Sequence, residues 1–164
     1  MSLVKELSDS EGIEMSVIHL LGRVVLISNG HILLAHEIGA ENTFLPGGHV
    51  DCNEAVKNTI RRELREEFDG NVEVEEFIGV IEHSFECRAQ PYHELNLLFF
   101  GTLLNCHYPQ KPKSLESHLE FYWQPIDRLK EANLLPSPLV AIIPSYHRDR
   151  QSSLWTSTIE TEKE

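Results

Sequence analysis

No apolar run in the 164 residues approaches the ~18 that a membrane-spanning helix requires, so no span is expected. Cysteine is scarce: Cys52, Cys87 and Cys106 are odd in number and show no paired spacing. That argues against a disulfide framework or a cysteine zinc site, and points to a reducing, cytoplasmic setting. The start, Met1 to Ser10, is polar and lacks the apolar core of a secretory leader. Positive charge is short as well: 14 Lys and Arg stand against 26 Asp and Glu, a formal net charge of −12. Such a surface repels a long polyanion and disfavours duplex nucleic acid as a partner. Common chemical signatures are missing too. There is no Gly-x-Gly-x-x-Gly, no Walker lysine motif and no Gly-x-Ser-x-Gly elbow.

With 41% hydrophobic and 24% charged residues, the chain reads as one globular domain. A polar segment over 1–15, a folded domain over 16–145 and a polar tail over 146–164 are expected. Val17–Leu21 reads as a short strand. Val24–Ser28 and His31–Ala35 flank Asn29-Gly30, a hairpin turn in which both residues accept φ > 0. Further strands are expected at Thr43–Leu45, Val72–His83, Glu94–Leu104 and His118–Gln124. Glu86–Tyr92 and Asn105–Ser117, both with prolines, read as loops. Pro125 opens a short helix at Ile126–Ala132, and Leu139–Ile143 suggests another helical turn. A long helix between strand groups and a second near the end give an α+β layering around a mixed sheet.

That long helix, about Glu54 to Asp69, sorts into three stripes at ~100° per residue. Val56, Ile60, Leu64 and Phe68 make the apolar stripe, and Lys57, Arg61 and Arg65 lie opposite. Glu63, Glu66 and Glu67 form an acidic patch that overlaps the apolar edge. Like charges at i,i+3 and i,i+4 cost ~0.2–0.5 kcal/mol each even on an exposed helix. Partial burial strengthens the repulsion. A bound divalent cation removes the conflict, and Mg²⁺ favours a few carboxylates plus water and phosphate oxygens. A solvated acidic face is the plainer reading of a charge run, but such faces normally alternate signs.

Gly48, five residues, Glu54, seven residues, then Arg62-Glu63-Leu64-Arg65-Glu66-Glu67 resembles the box of the Nudix hydrolases. The family pattern is Gly-x5-Glu-x7-Arg-Glu-U-x-Glu-Glu-x-Gly-U, with U bulky and aliphatic. All charged positions match over the 23 residues Gly48–Gly70, and Leu45-Pro46-Gly47 precedes them. The end departs: Asp69 stands at the glycine and Gly70 at the aliphatic position. Gly70 is expected to supply the left-handed helix cap one residue late.

The resemblance implies a Nudix fold, an α/β/α sandwich around a mixed β-sheet. It also implies a hydrolase that cuts the pyrophosphate of a nucleoside diphosphate linked to another moiety. The cofactor would be Mg²⁺, with Mn²⁺ as the alternative. Glu63, Glu66, Glu67 and the Gly47 carbonyl are the implied metal ligands. Glu54, Arg62, Glu66 and Glu67 are the implied catalytic group, Arg62 holding the carboxylates and Glu54 supporting them. A looser match adds Glu120 as an acid from late in the chain. His93 and Glu94 open a central strand near where substrate is expected, although a structural histidine is the commoner case. Phe85, Tyr92 and Tyr122 are candidates to stack on a base. The partner is then a small nucleotide, and a homodimer is compatible with the family. The competing reading is a catalytically silent Nudix domain that binds a nucleotide as a regulator.

Overall fold

Asn29 and Gly30 turn the chain at φ of 47° and 72°. This left-handed pair matches the twist of the strands it joins, β1 (Ile18–Ser28) and β2 (His31–Glu37). The computed structural model describes residues 17–87, 90–150 and 154–159. The expected N-terminal segment 1–15 lies outside the described residues, as do 151–153 and 160–164 of the expected tail. The two short strands read over 17–28 are one, because β1 pairs continuously with a central neighbour from Ile18 to Leu26.

That neighbour is β6 (Gln90–Leu103), parallel to β1 and antiparallel to β5 (Val72–Cys87). Short strands β3 (Thr43–Phe44) and β4 (Gly47–His49) pair with β2 and β1, and β7 (Leu119–Pro125) pairs with β2. Helix α1 (Val56–Phe68) follows β4, and a 3₁₀ segment at Ile126–Ala132 leads to α2 (Leu139–Asp149). β8 (Trp155–Ser157) lies parallel to β5 at one edge. The sheet runs β3-β2-β1-β6-β5-β8 and is mixed.

Two apolar layers sandwich it. On one face Ile60, Leu64 and Phe68 of α1 meet Val24, Leu26, Leu33 and Phe121. On the other, Leu129, Leu139, Ile143 and Tyr146 cover Val25, Ile32, Leu34 and Leu98. Each fully buried aliphatic side chain is worth about 1.5–3 kcal/mol. This is the expected α/β/α sandwich, and the apolar stripe of the helix is what docks α1 on the sheet.

Three local expectations change. Segment 86–92 is mostly strand, with Pro91 opposite Glu86 and Tyr92 opposite Phe85. Pro91 is tolerated because β1 pairs with β6 only from His93 onward, so among the described residues β6 has one neighbour there. The helical turn at Leu139 extends to Asp149 because Tyr146 is buried, so the expected tail begins inside a helix. Lastly, the left-handed cap of α1 is Asp69 itself, at φ 56°, and not Gly70. Gly70 serves by its size: a Cβ there would lie 2.5 Å from the Phe68 ring and 3.1 Å from the Leu64 carbonyl. Its N–H donates to that carbonyl at 2.8 Å, and Asn105 Nδ2 donates to the Asp69 carbonyl at 2.8 Å.

Asp69 therefore adopts a conformation unfavourable for an L-residue and puts a carboxylate at the negative helix end. Asp69→Gly should raise stability by about 0.5–1 kcal/mol, read by urea unfolding, with metal affinity unchanged. A loss of stability would contradict this account of the cap.

Candidate active site

Gly47 and Gly48 bring the chain flush against β1, pairing with Arg23 and Gly22. Gly47 has φ 126°, and a Cβ on it would sit 2.1 Å from the Gly22 carbonyl oxygen. At Gly48 a Cβ would strike one group, the Glu63 carboxyl, at 2.3 Å from its Cδ. The second glycine is thus a cradle for the Glu63 carboxylate.

Arg62 gathers the others. Its Nε and Nη2 each donate at 2.9 Å to the two oxygens of Glu54. Nη1 donates to Glu63 at 2.7 Å and to Glu66 at 3.2 Å, and Nη2 reaches the His49 carbonyl at 3.2 Å. One planar guanidinium with five donors can hold three carboxylates this way. Its bonds, with help from Thr59 Oγ1, hold the Glu54 carboxyl down at about 2. The same bonds push Arg62 above its usual range.

Glu67 is different. It is only 7% exposed, and among the described residues its Oε2 has no hydrogen-bond partner. Burial pushes its carboxyl up to about 8; Arg23 and the Gly47 backbone pull it down, while Glu63 and Glu116 add to the rise. An unsatisfied buried carboxylate oxygen is costly unless something else meets it.

Among the described residues no three His, Cys, Asp or Glu side chains converge as a ready-made metal cage. The donor set still fits a hard divalent cation, which takes a few carboxylates and completes its shell with water. The bare Glu67 oxygen and the cradled Glu63 carboxyl are the observations in favour. The Gly47 carbonyl already accepts from Arg23 Nη1 at 2.7 Å. A carbonyl has two lone pairs, so this bond alone does not debar it as a ligand.

Glu120 is not among the carboxylates that Arg62 holds. Its carboxylate accepts from His36 Nδ1 at 2.8 Å. Strand parity sets its face: Phe121 and Trp123 of β7 pack on the α1 face, so Glu120 and Tyr122 take the other. His93 pairs with Glu82 at 3.0 Å, which suits a structural histidine. Phe85 borders a cavity of about 580 Å³, along with Arg23, Phe44, His83, Glu94 and Asn96.

Arg23 is the residue that sequence reading passed over. It is buried, which lowers its pKa, and it donates to the Leu45 and Gly47 carbonyls at 3.1 and 2.7 Å. It stands in the cavity wall within electrostatic reach of Glu63, Glu67 and Glu94. The available signal was a lone charge inside the apolar run Leu20–Ile27. Glu116, from the loop after β6, also reaches Glu67 electrostatically.

The NUDIX domain model matches residues 19–144. The mRNA-decapping protein OPG121 of variola virus is 33% identical over 94 residues, 57% of this chain and 41% of that protein. Its counterpart in vaccinia virus is 33% identical over 93 residues, with the same coverage. The match thus spans less than half the length of these relatives. The MutT protein of Methanosarcina mazei Go1 superposes with a TM-score of 0.63 at 19% identity, over 86% of this chain and 100% of that one. A NUDIX hydrolase from Nitrosomonas europaea gives a TM-score of 0.61 at 19% identity, over 84% of this chain and 94% of that one. These two structures speak to the fold. No helix among the described residues is long and apolar enough to cross a membrane. With the matching model covering most of the sequence and the box residues gathered around Arg62, the chain belongs to the NUDIX domain family.

Proposed function

We propose that the protein is a metal-dependent hydrolase that splits the pyrophosphate of a nucleoside diphosphate linked to another moiety. Water adds to phosphorus, one P–O bond of the anhydride breaks, and a nucleoside monophosphate and a phosphorylated moiety leave. The observation that carries this reading is the buried Glu67 oxygen without a partner, beside carboxylates that a single arginine holds. Glu63, Glu66 and Glu67 would hold the ion, Mg²⁺ or Mn²⁺, with the Gly47 carbonyl as a further donor. When bound, such an ion neutralises phosphate charge and makes a water a better nucleophile. Arg62 keeps Glu63 and Glu66 from splaying into solvent, and Glu54 anchors Arg62. Phosphoanhydride cleavage is in keeping with the decapping named for the viral relatives, whose matched part is 41% of their length.

A panel of nucleoside diphosphate derivatives with Mg²⁺, read by product identity, tests the proposal. Monophosphate release supports it. Nucleotide-induced stabilisation with no product would favour the silent regulator instead. Asp69, that alternative's one support in the sequence, sits in the left-handed cap of α1, beyond the carboxylates.

A further inference from the structure

The cavity beside the carboxylates has an unusual polar lining. Glu37, Glu86 and Glu94 border it, and among the described residues Arg23 is its one guanidinium. Arg23 is committed to two backbone carbonyls, and burial keeps the lining His83 below its ordinary pKa. A second phosphate chain would meet an excess of negative charge there. A planar group rich in N–H donors would not.

Deeper in, Glu94 and Asn96 are i,i+2 on β6 and share one face of the sheet. Asn96 is 2% exposed, and its Nδ2 points at Glu94 Oε2 across 3.4 Å. With one amide N–H turned to Oε2, the second N–H and the remaining carboxylate lone pairs form an acceptor–acceptor–donor array. Guanine offers the complement: N2–H, N1–H and the O6 acceptor in a row. Adenine and cytosine each turn a ring-nitrogen acceptor toward the carboxylate beside their one amino donor. Uracil has a single N–H between two carbonyls.

An aromatic ledge flanks the array. Phe85 lies 5.2 Å from Tyr92 at 10° and 5.3 Å from His83 at 25°. Tyr92 continues to His19 at 5.4 Å and 26°. Phe85 is 38% exposed, so ring surface is open to a ligand. The floor is apolar, formed by Leu45, Leu98 and Leu139.

We infer that this cavity is the base subsite of the substrate and that it selects guanine, whose donor edge meets Glu94 and Asn96 while its ring stacks on Phe85. The assignment rests on the function proposed above for the orientation of the substrate, with the phosphates at the box and the base past Arg23.

Binding of GDP, ADP, CDP and UDP to the full chain, measured by calorimetry with Mg²⁺, tests it separately from turnover. GDP should bind at least about tenfold more tightly than the other three. Glu94→Gln, which replaces one acceptor by a donor, should remove that preference. Phe85→Leu, at a half-open site that the core does not need, should weaken all four by about tenfold. Equal affinity for the four bases, or a guanine preference that survives Glu94→Gln, overturns the inference. Base-blind hydrolysis would reject it while leaving the pyrophosphatase reading intact. Selective GDP binding without turnover would do the reverse.

Discussion

Glu67→Gln is expected to lower hydrolysis by ~10³-fold or more while making the protein more stable at pH 8 without added metal. The two effects share a cause. The Glu67 carboxyl is buried with one oxygen unsatisfied, and burial raises its pKa to about 8. Below pH ~4 the folded and unfolded chains both hold this proton, and nothing is lost. As pH rises from there toward 8, the unfolded chain releases the proton and the folded chain keeps it. The unfolded state then binds fewer protons, so stability falls across that window. The shift corresponds to a loss on the order of 4 kcal/mol by pH 8. Glutamine keeps the shape and cannot ionise, so the variant should lack this slope. Urea unfolding at pH 5 and pH 8 in a chelator, for both proteins, measures it. Parallel slopes would show that Glu67 is not the group responsible. Turnover undiminished in the variant would remove Glu67 from the reaction.

Gly48→Ala should separate the site from the fold. Its Cβ would meet the Glu63 carboxyl at 2.3 Å and no backbone within the closest contacts. The end of a flexible side chain can move aside, so the stability loss should stay near ~1 kcal/mol. Glu63 would then leave its position beside Glu67 and Arg62. Turnover should fall by about 10²-fold, and Mn²⁺ affinity by a similar factor. Gly47→Ala is the control. There the new Cβ faces the Gly22 carbonyl at 2.1 Å with φ at 126°, so backbone must shift and the domain itself should lose several kcal/mol. Calorimetric titration with Mn²⁺ beside a thermal melt distinguishes the two. If Gly48→Ala binds the ion and turns over like the parent, the cradle has no part in the site.

The box was legible because helical spacing is local. Residues three and four apart share a face, so Glu63, Glu66, Glu67 and the apolar stripe could be placed without the rest of the chain. The turn at Asn29-Gly30 was legible for the same reason. The pairing of Glu120 with His36 was not legible because its neighbours depend on which face of β7 meets α1, and that follows from Phe121 and Trp123 packing in the core. Strand content at Pro91 and Tyr92 was hidden because pairing with β5 outweighed the local loop signal. Arg23 was missed because one charge in an apolar strand gives no hint of its partners. Those partners, the carbonyls of Leu45 and Gly47, lie 22 and 24 residues away.

By itself the sequence determined the helix with its acidic edge, the hairpin, the α+β layering and the family to which the box points. These follow from short-range periodicity and from which residues accept a left-handed turn. Tertiary structure alone decided that Glu67 is buried and Glu66 exposed, that Arg62 binds three carboxylates, and that Glu94 and Asn96 face a cavity past Arg23. Burial and convergence depend on strand order and helix docking, which bring distant residues together, and no window along the chain contains that information.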